Sequence, residues 1–216
     1  MRKTSPRAIE LPQIPDEIKP LEELRLTNDS LHNAIHLTGA DLRGVRAARW
    51  KLSEVRLSRV VFAESDCVAV SLQDVDIQQC DLASACWRAA TWDRVRIAES
   101  RMVGFRCNEA RLVDLTITGT LAKLAQFRFS EFRSVRFEDC DLEGADFYSA
   151  DLRKAVFKNC NLNGVEFSAA KLQGADIRGS EIEGVSMQAE SMQGMIVEPL
   201  QAVQLASAWG LVVKYD

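Results

Sequence analysis

Histidine is nearly absent: His32 and His36 are the only two in 216 residues, and both precede the region that dominates the chain. General acid–base catalysis by imidazole has almost nowhere to sit. No run of about 18 uncharged apolar residues is present to span a bilayer. The opening Met1-Arg2-Lys3-Thr4-Ser5-Pro6 leads into no apolar signal core, so a cytoplasmic protein without a membrane partner is expected. Neither sign of charge prevails strongly, because 27 Lys and Arg face 31 Asp and Glu for a net −4. The whole chain therefore lacks a polycation's pull on phosphate, and direct nucleic-acid binding is not expected. No Cys-x-x-Cys spacing supports zinc, and the two histidines, four apart, have no acidic or cysteine partner at ligand spacing. They read as surface or cap residues. The glycines form no phosphate-binding loop. Catalytic, metal and cofactor sites are therefore all expected to be missing, and the chain reads as a non-enzyme. Disorder is excluded as well, since 47% of the residues are hydrophobic and 27% charged.

What the chain has in abundance is a period of five. Steps of five from Leu37 through Leu42, Ala47, Leu52, Leu57 and Phe62 to Met192 and Val197 meet 33 positions, all apolar. At the overall hydrophobic frequency such a run would arise by chance with a probability of about 10⁻¹¹. Two residues before each centre the residue is Ala, Val, Ser, Cys or Thr in 27 of the 33 repeats, as at Ala40, Val55 and Cys80. Both positions look inward. Ten of the eleven glycines lie two residues after a centre, the third place of a four-residue turn, where a type II turn needs positive φ. Repeats with Glu64, Asp74 or Lys154 there are expected to use a different turn. The pattern fits neither an amphipathic helix nor an alternating strand. A coil that turns a corner every five residues satisfies it. Four corners close a square of 20 residues, giving about eight coils and a rod about 40 Å long.

Segments such as Ala40-Asp41-Leu42-Arg43-Gly44, Ala145-Asp146-Phe147-Tyr148-Ser149 and Ala150-Asp151-Leu152-Arg153-Lys154 resemble the pentapeptide-repeat family, and the resemblance covers about three quarters of the chain. It implies an all-β, right-handed quadrilateral β-helix. Residues 1–36 are expected to form an irregular cap and a distorted first coil, 37–198 the β-helix, and 199–216 a C-terminal tail. Pro6, Pro12, Pro15 and Pro20 with Ile9, Leu11, Ile14 and Ile18 suggest an extended lid. Leu21, Leu26 and Leu31 keep the five-residue step, but Leu31 to Leu37 is six, which predicts one extra residue there. In the tail, Pro199 suits a first helical position, Leu205 and Trp209 share a helical face, Gly210 ends the helix, and Leu211, Val212 and Val213 form a short strand. Such a tail is similar to that of the dimeric, fluoroquinolone-resistance type, which implies dimerisation through Leu205, Trp209, Leu211, Val212 and Val213; a monomeric cap is the alternative.

Stacking at intervals of 20 makes further expectations. Trp87 lies between the small Cys67 and Cys107, whereas Trp92 lies between Leu72 and Leu112 and predicts local widening. Phe127, Phe147 and Phe167 form an aromatic column beside Phe132, Leu152 and Leu172. Five of the six cysteines are core, Cys86 lies just outside, and Cys140 above Cys160 reads as buried filler in preference to an oxidised pair. Leu121, Leu124 and Phe129 fall on outward positions around an underfilled Ala122. A bulge that turns them inward is favoured over an exposed patch.

Charge is segregated along the rod: residues 37–136 hold 16 basic and 12 acidic side chains, and residues 137–197 hold 5 and 11. Arg96, Arg101, Arg106 and Arg111 occupy one outward position in four consecutive repeats and would ring a coil as a basic collar. Asp141, Asp146, Asp151, Glu166, Asp176 and Glu181 hold the same position further on, as an acidic partner-binding surface or a solvated one. The expected function is protein interaction or scaffolding. The alternative implied by the resemblance is a DNA mimic whose partner is DNA gyrase.

Overall fold

Residues 20 apart do stack. The computed structural model describes residues 8–214. Five eight-residue strands, Lys51–Ser58, Ser71–Gln78, Thr91–Ala98, Arg111–Thr118 and Glu131–Glu138, pair in parallel with an unbroken offset of 20. Each carries two inward centres, such as Leu52 and Leu57, and so wraps two sides of a square coil. The other two sides are held by short strands such as Asp66–Val68 and Cys86–Arg88, and by isolated bridges such as Asp141 to Asn161. The result is a parallel β-solenoid of about seven turns. A further coil is interrupted by the 3₁₀ turn Ala189–Met192.

Why the chain turns where it does is visible in the backbone. Every residue two after a centre, from Asp29 to Gly184, has φ between +48° and +77°, and 23 of these residues are not glycine. Glu64, Asp74 and Lys154 adopt φ of 61°, 54° and 64°, so the separate turn expected for them is not found. The corners differ in a hydrogen bond instead. Ser65 N–H donates to the Phe62 carbonyl at 3.1 Å and Ala155 to Leu152 at 3.0 Å, closing tight turns. The Asp74 corner lies inside the strand Ser71–Gln78. Each left-handed residue costs about 1–2 kcal/mol outside glycine, and the ladders on both sides of every coil hold it there.

The interior is filled. Trp87 pairs with Cys67 below, and its N–H donates to Arg106, one residue before Cys107, as volume compensation requires. Trp50 and Phe105 stand at inward positions that are small in most repeats, and they complete an edge-to-face cluster with Phe62, Trp87 and Trp92. Trp92 stays in register with Leu72 and Leu112, sharing its coil with the small Ala85 and Ala90. Trp87 Nε1 donates to Ser65 Oγ at 2.9 Å, whereas Trp92 Nε1 is buried without a hydrogen bond among the described residues. All six cysteines, Cys86 included, are buried and free. Burial pushes the Cys80 thiol up to about 11. Cys80, Ser100, Thr120 and Ser180 share one inner column. Ser100 and Ser180 accept backbone N–H bonds from the residues 20 before them at 3.1 and 3.0 Å.

Both ends differ from expectation. His32, not Leu31, occupies the inward place in the strand Leu31–Asn33, opposite Leu52, and Leu31 is 66% exposed. The five-residue step therefore runs through Ala34 and Asp29 without an extra residue. The irregularity lies earlier, where Lys19–Leu21 pairs with Ile35–Leu37 at an offset of 16, making a coil four residues short. His36 hydrogen-bonds the hydroxyls of Ser58 and Thr38 at 3.3 and 3.1 Å.

The segment from residue 8 to 18 is not a lid over the end. It runs along one corner of the rod, with Glu10 N–H donating to Asp114 Oδ1 at 3.3 Å and Gln13 N–H to Asp74 Oδ1 at 2.9 Å. Two coils separate these acceptors, about 10 Å, which three extended residues span. Pro6 lies outside the described residues.

At the other end Pro199–Ala208 is helical, with a reciprocal capping box between Glu198 and Gln201. Gln201 Nε2 donates to the carbonyls of Ile177 and Ser180 at 2.8 and 2.7 Å, docking the helix on the last coils. Gly210 ends it at φ +81°. Leu211, Val212 and Val213 form no strand, because no ladder partner lies beside them among the described residues.

Candidate interaction surfaces

With the interior full, chemistry is left to the outer positions, and the residue before each centre is the most informative. Asp41, Asp81, Asp146 and Asp176 each accept the backbone N–H of the residue two further on, at 2.9–3.2 Å. Asp141 and Asp151 do so at 3.3 Å, and Glu166 accepts from Ser168 at 2.6 Å. This local bond fixes a closed turn. An acidic residue at that place thus has a structural task before any binding role. The signal was present in the sequence as Asp or Asn one residue ahead of a centre.

The acidic set does not share a side. Asp141 and Glu181 lie in one column, Asp146 and Glu166 are bridge partners in another, Asp151 lies in a third, and Asp176 in the fourth. Several are neutralised nearby: Asp141 by Lys123 at 3.2 Å, Asp146 by Arg128 at 3.2 Å, Asp151 by Arg153 at 2.6 Å and Asp176 by Arg178 at 2.7 Å. The Arg153 and Arg178 guanidinium groups hold the Asp151 and Asp176 carboxyls below the usual range. Glu181 accepts a neutral hydrogen bond from Asn163.

The collar is equally uneven. Arg96 makes a two-pronged contact with Asp76 at 2.9 and 2.7 Å, and Arg101 reaches Asp81 at 3.2 Å. Arg106 and Arg111 are exposed and make no ion pair among the described residues. The four arginines do lie one on each side of the rod, but two of them carry their counter-charge from the coil before.

A buried charge cluster escaped sequence reasoning. Asp74, 5% exposed, is gripped by Arg94 through two bonds of 2.7 Å, and Asp114 is 2% exposed beneath the segment that carries Glu10. Burial raises the Asp74 carboxyl, but Arg94 and the Gln13 N–H outweigh it and hold it below its ordinary value. Arg94 stands one stacking interval of 20 after Asp74, but no local pattern announces the segment that covers the cluster, because its contacts are 61 and 104 residues away.

Leu121, Leu124 and Phe129 are exposed at 42%, 61% and 53%, with Ala122 and Ala125 in register behind them. The inward bulge is not found: the ladder never slips, so outward positions stay outward. Phe129 meets Tyr148 edge to face at 5.6 Å, and Arg128 lies 4.9 Å from the Tyr148 ring centre. In the tail Leu205 is buried, whereas Trp209, Leu211, Val212 and Val213 are exposed, and Leu205, Trp209 and Leu211 help to line an apolar hollow of about 340 Å³.

A four-sided parallel solenoid with its centres every five residues and only its outer surface available defines a class of repeat proteins. The family profile described as "Pentapeptide repeat region" matches residues 70–147, 90–167 and 130–195. The chain belongs to the pentapeptide repeat family. Among solved structures it is similar to trypsin-treated QnrB1, a plasmid-mediated fluoroquinolone resistance protein, with 17% identity over 90% of this chain and 95% of that one and a TM-score of 0.53. Full-length QnrB1 aligns at 16% identity over 89% and 95% of the two chains, with a TM-score of 0.44. A pentapeptide repeat protein from the Arabidopsis thaliana thylakoid lumen aligns at 25% identity over 43% and 71%, with a TM-score of 0.36. No curated protein matches the chain.

Proposed function

We propose that this protein is a non-enzymatic interaction rod that acts in the cytoplasm by presenting its outer surface to another protein. The observation that carries this reading is the filled interior: the centres from Ala47 to Ile182 are buried, with nearly all at 0–3% exposure, so side chains occupy the space a substrate would need. Six free thiols suit a reducing compartment. The exposed Trp209, Leu211, Val212 and Val213 suit a twofold contact in which Leu211–Val213 gains a strand partner from a second copy. Sedimentation of the full chain beside one cut before Pro199 tests this, with a halved mass expected for the shorter chain. An unchanged mass would leave the tail as a cap.

A second reading is favoured by the fold shared with QnrB1 and by the acidic excess of residues 137–197: a phosphate-like rod that occupies the DNA-binding surface of DNA gyrase. Unpaired Arg106 and Arg111 oppose it, since they would meet a basic surface. A gyrase supercoiling assay with and without a quinolone decides between the two readings. Inhibition or protection at micromolar protein supports the mimic, and neither effect leaves the scaffold.

A further inference from the structure

One side of the rod is unlike the other three. Its outward columns open on Asp41, Arg43 and Gly44, carry small or apolar residues at Val61, Ala63, Ala83, Val103, Leu121 and Leu124, and end in Glu181, Glu183 and Gly184. Arg101, a cation among the apolar members, is already paired to Asp81 at 3.2 Å. Beyond Leu124 the corner carries Gly144, Gly164 and Gly184, so no side chain fills the space beside Glu143, Asn163 and Glu183. The outcome is a groove of about 630 Å³ with Val103 and Leu124 at its head and Glu143 and Glu183 on its rim. Leu124 leans over the groove's first glycine, close enough that a Cβ on Gly144 would come within 2.9 Å of its Cδ2. Lys123 is bound by Asp141 and Glu143 at 3.2 and 2.6 Å, which leaves Glu181 and Glu183 without a cation among the described residues.

We infer that this groove is a docking site for an extended segment of a partner protein, apolar at one end and carrying lysine or arginine at the other. Exposed Leu124 towards one end of the groove and uncompensated Glu183 at the other, with Glu181 two residues away, set that polarity, and desolvating Leu124 supplies affinity that charge alone does not. From Val103 to Glu183 is four coil spacings, about 19 Å, which six to eight extended residues cover. The inference rests on the reading of the rod as a protein-binding surface and names the chemistry of the bound segment.

The test uses the full chain and a labelled eight-residue peptide, Leu-Ala-Leu-Ala-Gly-Lys-Gly-Lys, beside an analogue with glutamate in place of lysine. Fluorescence anisotropy should give a Kd on the order of 10–100 µM for the first peptide and no binding for the second. Leu124→Asn should weaken binding about tenfold, and asparagine suits the left-handed φ of 58° there, so the fold is kept. Glu181→Gln with Glu183→Gln should weaken it about fivefold at low salt and have little effect at 0.5 M salt. Phe129→Asn, at another left-handed corner, should leave binding unchanged. Equal binding of both peptides, or indifference to Leu124→Asn, would overturn the inference. So would a dimer that Leu124→Asn splits into monomers, because a second copy would then be the occupant. Gyrase inhibition that survives Leu124→Asn while the peptide fails to bind would sink the groove and leave a protein-binding role for the rest of the rod's surface.

Discussion

Two stretches of the same interior are packed in different ways. Between Trp50 and Phe105 the rings meet Trp87 edge to face, with Trp50 and Trp87 at 5.3 Å and 87° and Phe62 and Trp87 at 5.3 Å and 88°. From Phe127 to Phe167 they lie parallel in columns, Phe137 on Phe157 at 4.9 Å and 3°, Phe147 between Phe127 at 5.3 Å and Phe167 at 5.5 Å. Where the repeat is uniform, the strand spacing sets the ring spacing. Where a tryptophan intrudes, the space comes from small residues such as Cys67, Ala85 and Ala90, and the rings rotate to fit.

The sharpest way to break this comparison is at the centre of the regular column. Phe147→Ala should lower stability by about 3–5 kcal/mol in urea unfolding, since the neighbouring coils are pinned by their ladders and cannot collapse into the void. Trp87→Phe should cost less, about 1–2 kcal/mol, because an irregular cluster repacks and the main loss is the bond to Ser65. A Trp87→Phe loss as large as that of Phe147→Ala would show the tryptophan cluster to be as tightly specified as the column.

Next in size is the charge cluster under the N-terminal segment. Asp74→Asn should cost about 1.5–3 kcal/mol, the worth of charge-assisted bonds in a site of this burial. The pH dependence follows from direction alone. Asp74, Asp151 and Asp176 all titrate lower in the folded chain than in the unfolded one. The unfolded state therefore binds more protons below about pH 4, and stability contributed by these groups is present above that value and lost as pH falls through the folded pKa values. Thermal melts from pH 5 to pH 2 should show that loss, with a shallower slope for Asp74→Asn. An unchanged slope would assign the acid sensitivity to Asp151 and Asp176, on the regular half of the rod.

This contrast also explains what was legible in the sequence. The solenoid, the stacking of Trp87 on Cys67 and the phenylalanine column follow from a period that never slips, because inward positions are selected by burial. The ends were misread for the same reason. Counting leucines placed Leu31 inside, whereas the ladder placed His32 there, and a histidine carries no apolar signal. The segment along Asp74 and Asp114 was illegible, since a contact between residues 10 and 114 leaves no periodic trace. Among the surface candidates, equal spacing revealed which residues share a position in the repeat, but ion pairing depends on the residue 20 away. That is why Arg96 and Arg106 looked alike and behave differently.

The smallest effects concern the corners, where the two halves again differ in sequence and agree in geometry. No glycine lies between Gly44 and Gly104, yet the corners from Arg49 to Glu99 have the same left-handed φ as Gly144 or Gly164. Lys154→Gly, at φ 64°, should remove a backbone cost of about 1 kcal/mol while adding a comparable entropy to the unfolded chain, for a net gain of at most about 0.5 kcal/mol. Gly174→Ala should destabilise by about 1 kcal/mol, because its φ is +73° and the new Cβ would stand 3.3 Å from Lys154 Cγ. Combining the two separates backbone from contact. If strain at residue 174 is purely local, the double variant is the sum of the singles. If the Lys154 side chain contributes, removing it relieves Gly174→Ala by more than about 0.5 kcal/mol. Additivity in urea unfolding would show that each corner bears its own backbone cost, held only by the ladders above and below.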